Sequence, residues 1–259
     1  MTRIVSLYSG STGNAFLVQA DETCFLIDAG KNAKKLCTAL TDAGVSPDTV
    51  RAIFLTHEHS DHVSALPVFL KKHPIPVHVQ HASAYKLANE PSVAPCLQLH
   101  PPLYEEQIGK IHVTSFPTPH DSRGSLGYRI EIPQSGGGAI RIGYATDIGF
   151  VSEEVESALT GCDAVILESN HDLDMLMTGP YPYDLKMRIA SRRGHLSNAD
   201  SAALAARLCA AGTRALMLAH LSQENNTPDL AFDECFSAIG DDGVQISVAS
   251  PDHITEVLL

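Results

Sequence analysis

The sequence predicts an α/β protein, on three observations. Apolar runs of strand length alternate with stretches whose apolar residues recur at helical spacing, a pattern that builds mixed sheets covered by helices. Histidines and aspartates follow the C-terminal ends of several of those strands, the position where α/β proteins gather ligands. Composition agrees: 259 residues, 44% hydrophobic and 19% charged without a low-complexity tract, can bury a full core in one ordered body.

Taken in order, residues 3–8 and 15–18 read as a hairpin whose turn is Ser9-Gly-Ser-Thr-Gly-Asn14. A third strand over 24–27 ends in Asp28-Ala-Gly30, after which Ala33, Leu36, Ala39 and Leu40 form one helical face up to Gly44. The strand at 50–56 runs into Thr56-His-Glu-His-Ser-Asp-His62, and helical character resumes over 63–72 until His73-Pro74 stops it. A strand follows at 76–80. Residues 81–108 are uneven, with a helix expected near 82–88 and a Pro-rich connection around 91–102.

The strand at 111–116 delivers Pro119-His120-Asp121. Strands at 127–132 and 140–144 flank Ser135-Gly-Gly-Gly138, and the second ends in Thr146-Asp147. A helix at 153–159 precedes a buried strand at 164–167 that ends in Glu168-Ser-Asn-His171. Residues 175–193 mix Pro, Tyr and basic side chains and read as a helix inside a covering segment. The Ala/Leu stretch 199–211 is helical, 215–219 is a strand ending in His220, and 244–248 is the last strand expected. With no repeat and no linker, residues 1–259 are expected to form a single domain.

A formal charge of −12 argues against a broad non-specific nucleic-acid surface, because phosphate neutralisation needs a basic face. It leaves room for a local site, since bound divalent cations invert the field around them. The six cysteines are scattered without a C-x-x-C pair and read as free core thiols. No secretory h-region or run of membrane-spanning length is present, so a cytoplasmic protein without a membrane partner is expected.

The chemistry concentrates in His57, His59, Asp61 and His62, whose imidazole and carboxylate donors suit zinc, manganese and iron. His57, His120, Asp147, His171 and His220 each follow the end of an apolar strand, which is economically explained by convergence on one site.

The cluster His57-x-His59-x-Asp61-His62 after a strand, with His120, Asp147 and His220 downstream, resembles the metallo-β-lactamase superfamily over nearly the whole chain. The resemblance implies a four-layered αβ/βα sandwich with two mixed β-sheets. It also implies that His57, His59 and His120 hold one divalent ion, that Asp61, His62 and His220 hold another, and that Asp147 bridges them. The ions would be zinc first, with manganese or iron as alternatives, and a hydroxide held between them would be the nucleophile. Asp28 matches a family aspartate that orients a ligating imidazole, the role favoured here over the alternative of capping the following helix. Asp147 stands where the commonest zinc β-lactamases carry cysteine, so antibiotic hydrolysis is not expected.

Ser9-Gly-Ser-Thr-Gly-Asn14, Glu168-Ser-Asn-His-Asp172, Gly194-His-Leu-Ser-Asn198 and His220-Leu-Ser-Gln-Glu-Asn-Asn226 are together similar to the YycJ/WalJ group of probable nucleases and phosphodiesterases. A phosphodiester substrate, including DNA or RNA ends, is therefore expected. His195, Ser197 and Asn198 precede the helix 199–211, whose N-terminal amides favour an anion; His195 could then protonate the leaving oxygen. The plainer alternative is that Ser197 or Asn198 caps the helix and His195 is a loop residue. Ser9 and Asn14 could present hydroxyl and amide groups to phosphate, or only form a turn. His171 could face the site or bond locally. Lys186, Arg188, Arg192 and Arg193 form a basic run suited either to phosphate contact or to a solvated helix face. Two other functions compete: a glyoxalase II-like ester or thioester hydrolase, and a metal-bearing binding protein without turnover. A homodimer is compatible with the sequence.

Overall fold

The computed structural model describes residues 2–259. Strands β1 (Thr2–Tyr8), β2 (Ala15–Ala20) and β3 (Thr23–Ile27) form an antiparallel meander. Helix α1 (Ala33–Asp42) crosses over to β4 (Val50–Phe54), which runs parallel to β3. Two short helices, α2 (Ser60–Val63) and α3 (Leu66–Lys72), lead to β5 (Val77–Gln80) and then to β6 (Leu97–His100), both parallel additions.

The second sheet begins with β7 (Glu105–Ile108), β8 (Ile111–Pro117), β9 (Leu126–Pro133) and β10 (Ala139–Ala145), each antiparallel to the one before. Helix α4 (Glu153–Leu159) returns the chain to the parallel strand β11 (Ala164–Glu168). An excursion through α5 (Leu173–Thr178) and α6 (Tyr183–Ile189) precedes α7 (Asn198–Ala210), β12 (Ala215–Ala219), α8 (Pro228–Ile239) and β13 (Gln245–Val248). The last strand, β14 (Thr255–Leu258), rejoins the first sheet beside β1. The sheet orders are β14-β1-β2-β3-β4-β5-β6 and β13-β12-β11-β10-β9-β8-β7.

Alternation along the strands divides the core. In β2, Phe16 and Val18 face the opposite sheet, where Tyr128, Tyr144, Ile142 and Ile166 meet them, while Leu17 turns outward to the helices. Outside the first sheet, Leu36 and Leu40 of α1 and Phe69 of α3 complete one layer. Outside the second, Val155, Leu159, Leu204, Leu208 and Cys235 complete another. This is the αβ/βα sandwich with two mixed sheets that the resemblance implied.

Several boundaries differ from the sequence expectation. Residues 82–88 form two 3-10 turns, Ser83–Tyr85 and Leu87–Asn89, rather than an α-helix. The expected 91–102 connection contains β6, a four-residue strand whose side chains are half-buried or exposed. Pro67 in the first turn of α3 supports a fresh helix start, so 63–72 is not continuous. Gly179 closes α5 and Pro182 precedes α6, dividing the covering segment. Helix α8, opened by Thr227 and Pro228, and strand β14 were not anticipated. Among the cysteines, Cys37 and Cys96 are only partly buried; the other four are core thiols, and all six are free.

Candidate metal centre

The candidate donors stand where strands of both sheets end on one edge of the sandwich. Asp28 follows β3, His57 lies three residues beyond β4, His120 three beyond β8, Asp147 two beyond β10, and His220 directly follows β12. Asp28, Asp147 and His220 take left-handed backbone conformations, with φ of 62°, 56° and 58°. Such backbone costs on the order of 1 kcal/mol per residue and persists where surrounding contacts overdetermine it. At Asp28 those contacts are visible: its amide donates to the Phe54 carbonyl, while its carboxylate accepts from the Thr56 amide at 2.8 Å and hydroxyl at 2.9 Å. Gly30 lets this turn press on the ligand loop, since a Cβ there would collide with the Asp61 carbonyl.

Four imidazoles are held in the same way. His62 Nδ1–H donates to Asp28 at 2.8 Å, His120 Nδ1–H to the Gly194 carbonyl at 3.0 Å, and His220 Nδ1–H to Glu168 at 3.1 Å. The Thr56 hydroxyl already donates to Asp28, so its oxygen accepts from His57 Nδ1–H at 3.0 Å. Each partner fixes a tautomer that leaves a lone pair on Nε2. Nε2 of His57, His120 and His220, and Oδ2 of Asp147, are buried without a hydrogen-bond partner among the described residues. Orphaned buried lone pairs of this kind are costly unless something binds them.

The free atoms converge. Asp147 Oδ2 lies 3.4 Å from His62 Nε2, and its Oδ1 lies 3.5 Å from His220 Nε2 and 3.7 Å from His120 Nε2. Asp61 Oδ2 lies 3.2 Å from His62 Nε2 and 3.6 Å from His220 Nε2. The rings of His57, His59 and His120 stand 4.5–5.2 Å apart. Four sets in this cluster, His57/His59/His120, His57/His62/Asp147, Asp61/His62/His220 and Asp147/Glu168/His195/His220, bring donor atoms within 4.8 Å of one another. Nitrogen and oxygen donors in this number and spacing fit divalent metals.

The electrostatics express the same crowding. Burial pushes His57 well below the usual imidazole range. Burial opposes charge on His220, but Asp147, Asp61 and Glu168 overcome it and raise its pKa to about 10. Burial also opposes ionisation of Asp147, yet His220, His62 and His57 hold it far below the usual carboxylate range. Divalent cations in this space would take over the charge balance and displace the imidazole protons, because a ligating imidazole is neutral.

Asp28 is thus the residue that orients His62, while the cap of α1 is Asn32. Asn14 directs its amide to His62 Nε2 and Asp61, and Ser9 Oγ accepts from the His220 amide at 2.8 Å; both brace candidate ligands. His195 sits against the cluster, its Nδ1–H donating to Glu168 at 2.7 Å and its ring stacked on His220. The structure does not bring Ser197 and Asn198 to the cleft chemistry. Ser197 caps α7, and the Asn198 amide is buried in bonds with Ser169 and Asn226. His171 is buried nearby but belongs to none of the donor sets.

The basic run divides. Lys186 donates to the Met177 carbonyl, Arg192 lies over Phe150, and Arg193 donates to the His120 carbonyl. Arg188 pairs with Asp121 and lines a cleft of about 200 Å³ together with His195, His220, Tyr181 and Leu185. Sequence reasoning overlooked Glu168, a fully buried carboxylate that accepts from His195, His220 and the amides of Ile148 and Leu196. Its position at the end of β11, like that of Asp147 after β10, was the available signal. Thr56 and Asp121 were also unassigned, and Glu58, between His57 and His59, accepts from the Arg123 amide.

Residues 23–221 match the family model described as "Beta-lactamase superfamily domain". The chain is 32% identical over 254 residues to "Exodeoxyribonuclease YycJ" of Bacillus anthracis, covering 96% of this chain and 94% of that one. It is 31% identical over 229 residues to "Exodeoxyribonuclease WalJ" of Streptococcus pneumoniae, covering 87% and 83% respectively. In fold it is similar to the metallo-β-lactamase fold protein YhfI of Bacillus subtilis, with a TM-score of 0.74 and 16% identity over 99% of this chain and 100% of that one.

Proposed function

The chain belongs to the β-lactamase superfamily, and from that premise we propose that it is a dinuclear metal-dependent phosphodiesterase that removes nucleotides from DNA ends. The observation that carries the reading is that His57, His120 and His220 are fixed as Nδ1–H tautomers with Nε2 free around Asp147. His57, His59 and His120 would hold one ion, Asp61, His62 and His220 the other, and Asp147 both, with zinc or manganese as the natural occupants. When bound, such a pair supplies Lewis acidity and an acidified water suited to attack on phosphorus. The names of the two exodeoxyribonuclease relatives support DNA as the polymer.

The chain's own groups divide the remaining work. Asp28, Glu168, Thr56 and the Gly194 carbonyl orient four of the imidazoles, which limits the rearrangement that binding would require. His195, anchored through Nδ1 on Glu168, would when protonated donate from Nε2–H to a phosphoryl oxygen or to the departing oxygen. Arg188, at the cleft and exchangeable between Asp121 and a phosphate, positions the strand end. The acidic chain confines nucleic-acid contact to this locale, residues 1–259 act as one domain, and the cytoplasm is the working compartment.

Elemental analysis followed by digestion of 5′- and 3′-labelled DNA across zinc, manganese and magnesium tests the proposal. Two ions per chain assignable to the Asp147 cluster and metal-dependent nucleotide release are expected, and Asp61→Ala should hold about one ion fewer than the parent and lose activity. Turnover of a glutathione thioester with intact DNA would overturn it.

A further inference from the structure

We infer a separate metal-binding site beside the edge strands β6 and β7 of the two sheets, formed by His78, His100 and Glu106, which takes a zinc-like divalent cation and ties the two sheets together. His78 lies in β5 and His100 ends β6, both in the first sheet; Glu106 lies in β7, the edge strand of the second. None of the three belongs to the donor sets built around Asp147.

The donor atoms already surround a common point. His78 Nδ1 is 3.0 Å from His100 Nε2, and Glu106 Oε1 lies 4.0 Å and 3.9 Å from those nitrogens. Donors about 2 Å from a shared ion stand roughly 3 Å apart at right angles and about 3.3 Å apart at a tetrahedral angle. The two nitrogens already stand at ligand spacing but face one another in an N–H···N hydrogen bond, which a cation would replace as each ring turns its lone pair toward the ion, and the half-exposed Glu106 carboxylate closes by about 1 Å. Water from the solvent side completes the coordination.

Ring stacking fixes the imidazole planes in advance. Phe54 stacks on His78 with centroids 4.5 Å apart at 9°, Tyr104 stacks on His100 at 3.9 Å and 12°, and the two imidazoles lie edge to edge, 5.2 Å between centroids and 19° from coplanar. A neutral imidazole pair shares only one proton between the facing nitrogens, which accounts for their contact but not for a carboxylate equidistant from both. A cation accounts for all three. Burial also pushes His78 down to about 4 and lowers His100, so both are neutral, the ligating form, at neutral pH.

The location gives the site its consequence. Between His100 and Glu106 the chain leaves the first sheet and enters the second, and an ion held by both strands pins that crossing. The expected role is structural, independent of turnover at the Asp147 cluster.

The test equilibrates the full chain and the variants Glu106→Gln and His100→Gln with zinc, dialyses them, and measures zinc content and the zinc-dependent rise in Tm. Glu106 is partly exposed, so Glu106→Gln reports on the site even if His100→Gln folds poorly. Each variant should hold about one zinc fewer than the parent and show a smaller zinc-dependent rise, while Glu106→Gln keeps the parent's digestion rate. Equal zinc content and an equal Tm rise in parent and Glu106→Gln would overturn the inference. The comparison is a difference between chains with identical Asp147 clusters, so it is read independently of how many ions that cluster holds.

Discussion

Glu168 shows how much of the centre depends on residues that need not touch a metal. Its buried carboxylate accepts from the Nδ1–H of both His195 and His220, and those imidazoles hold it down at about 2 against the opposing effect of burial. Glu168→Gln keeps the shape but offers one acceptor oxygen and an unwanted donor. Metal affinity should fall about 10–100-fold, as for other partners of ligating imidazoles, with the far-ultraviolet circular dichroism unchanged; calorimetric metal titration measures this, and parental affinity would refute the assignment. The motif His57-x-His59-x-Asp61-His62 was readable from sequence because its donors are neighbours in the chain. The role of Glu168 was not, because it exists only once β10, β11 and β12 stand side by side. Asp28 lies between these cases: its residue type permitted a cap or a brace for an imidazole, and only the fold, by supplying Asn32 as the cap, decided.

Among the elements, α6 is the one whose removal would change recognition while leaving the core intact. None of its residues is fully buried, Tyr183 is 72% exposed, and Arg188 joins it to Asp121 beside the cluster. Arg188→Ala should raise KM for DNA ends about tenfold with little change in kcat and a shallower dependence on salt, the signature of a lost phosphate contact. Steady-state digestion at two ionic strengths checks this, and an unchanged KM and salt slope would show that the Asp121 pair serves only the fold. The central strands β10, β11 and β12 were legible as apolar runs because they are covered on both faces. Strands β6, β7 and β14 stand at or beside sheet edges with partly exposed side chains, so their pairing partners, rather than their composition, make them strands.

At the scale of the molecule, the layers outside the second sheet set a limit on alkaline stability. Cys162 is buried among Leu159, Val165 and Leu208, and burial pushes its thiol up to about 11. Above the ordinary thiol range near 8.5–9 the unfolded chain ionises first, so it binds fewer protons than the folded chain and stability falls with rising pH. The contribution is fully present below about pH 9 and is lost by about pH 11, on the order of 2–3 kcal/mol, and Cys162→Ala should flatten that part of the curve when urea unfolding is compared at pH 8 and 10.5. Metal acts in the opposite direction and on a different part of the body. Candidate ligands follow β4 in the first sheet and β8, β10 and β12 in the second, so an ion bound there binds the folded state and has no comparable site in the unfolded chain. With free metal at about a thousand times its Kd, each ion adds roughly 4 kcal/mol to unfolding. A chelator should therefore lower the urea midpoint without changing the slope, and restored zinc should return it. Because the ligand-bearing strands belong to both sheets, tyrosine fluorescence and far-ultraviolet circular dichroism should report the same shifted midpoint. A midpoint unmoved by chelation would mean that the convergent donors do not hold metal.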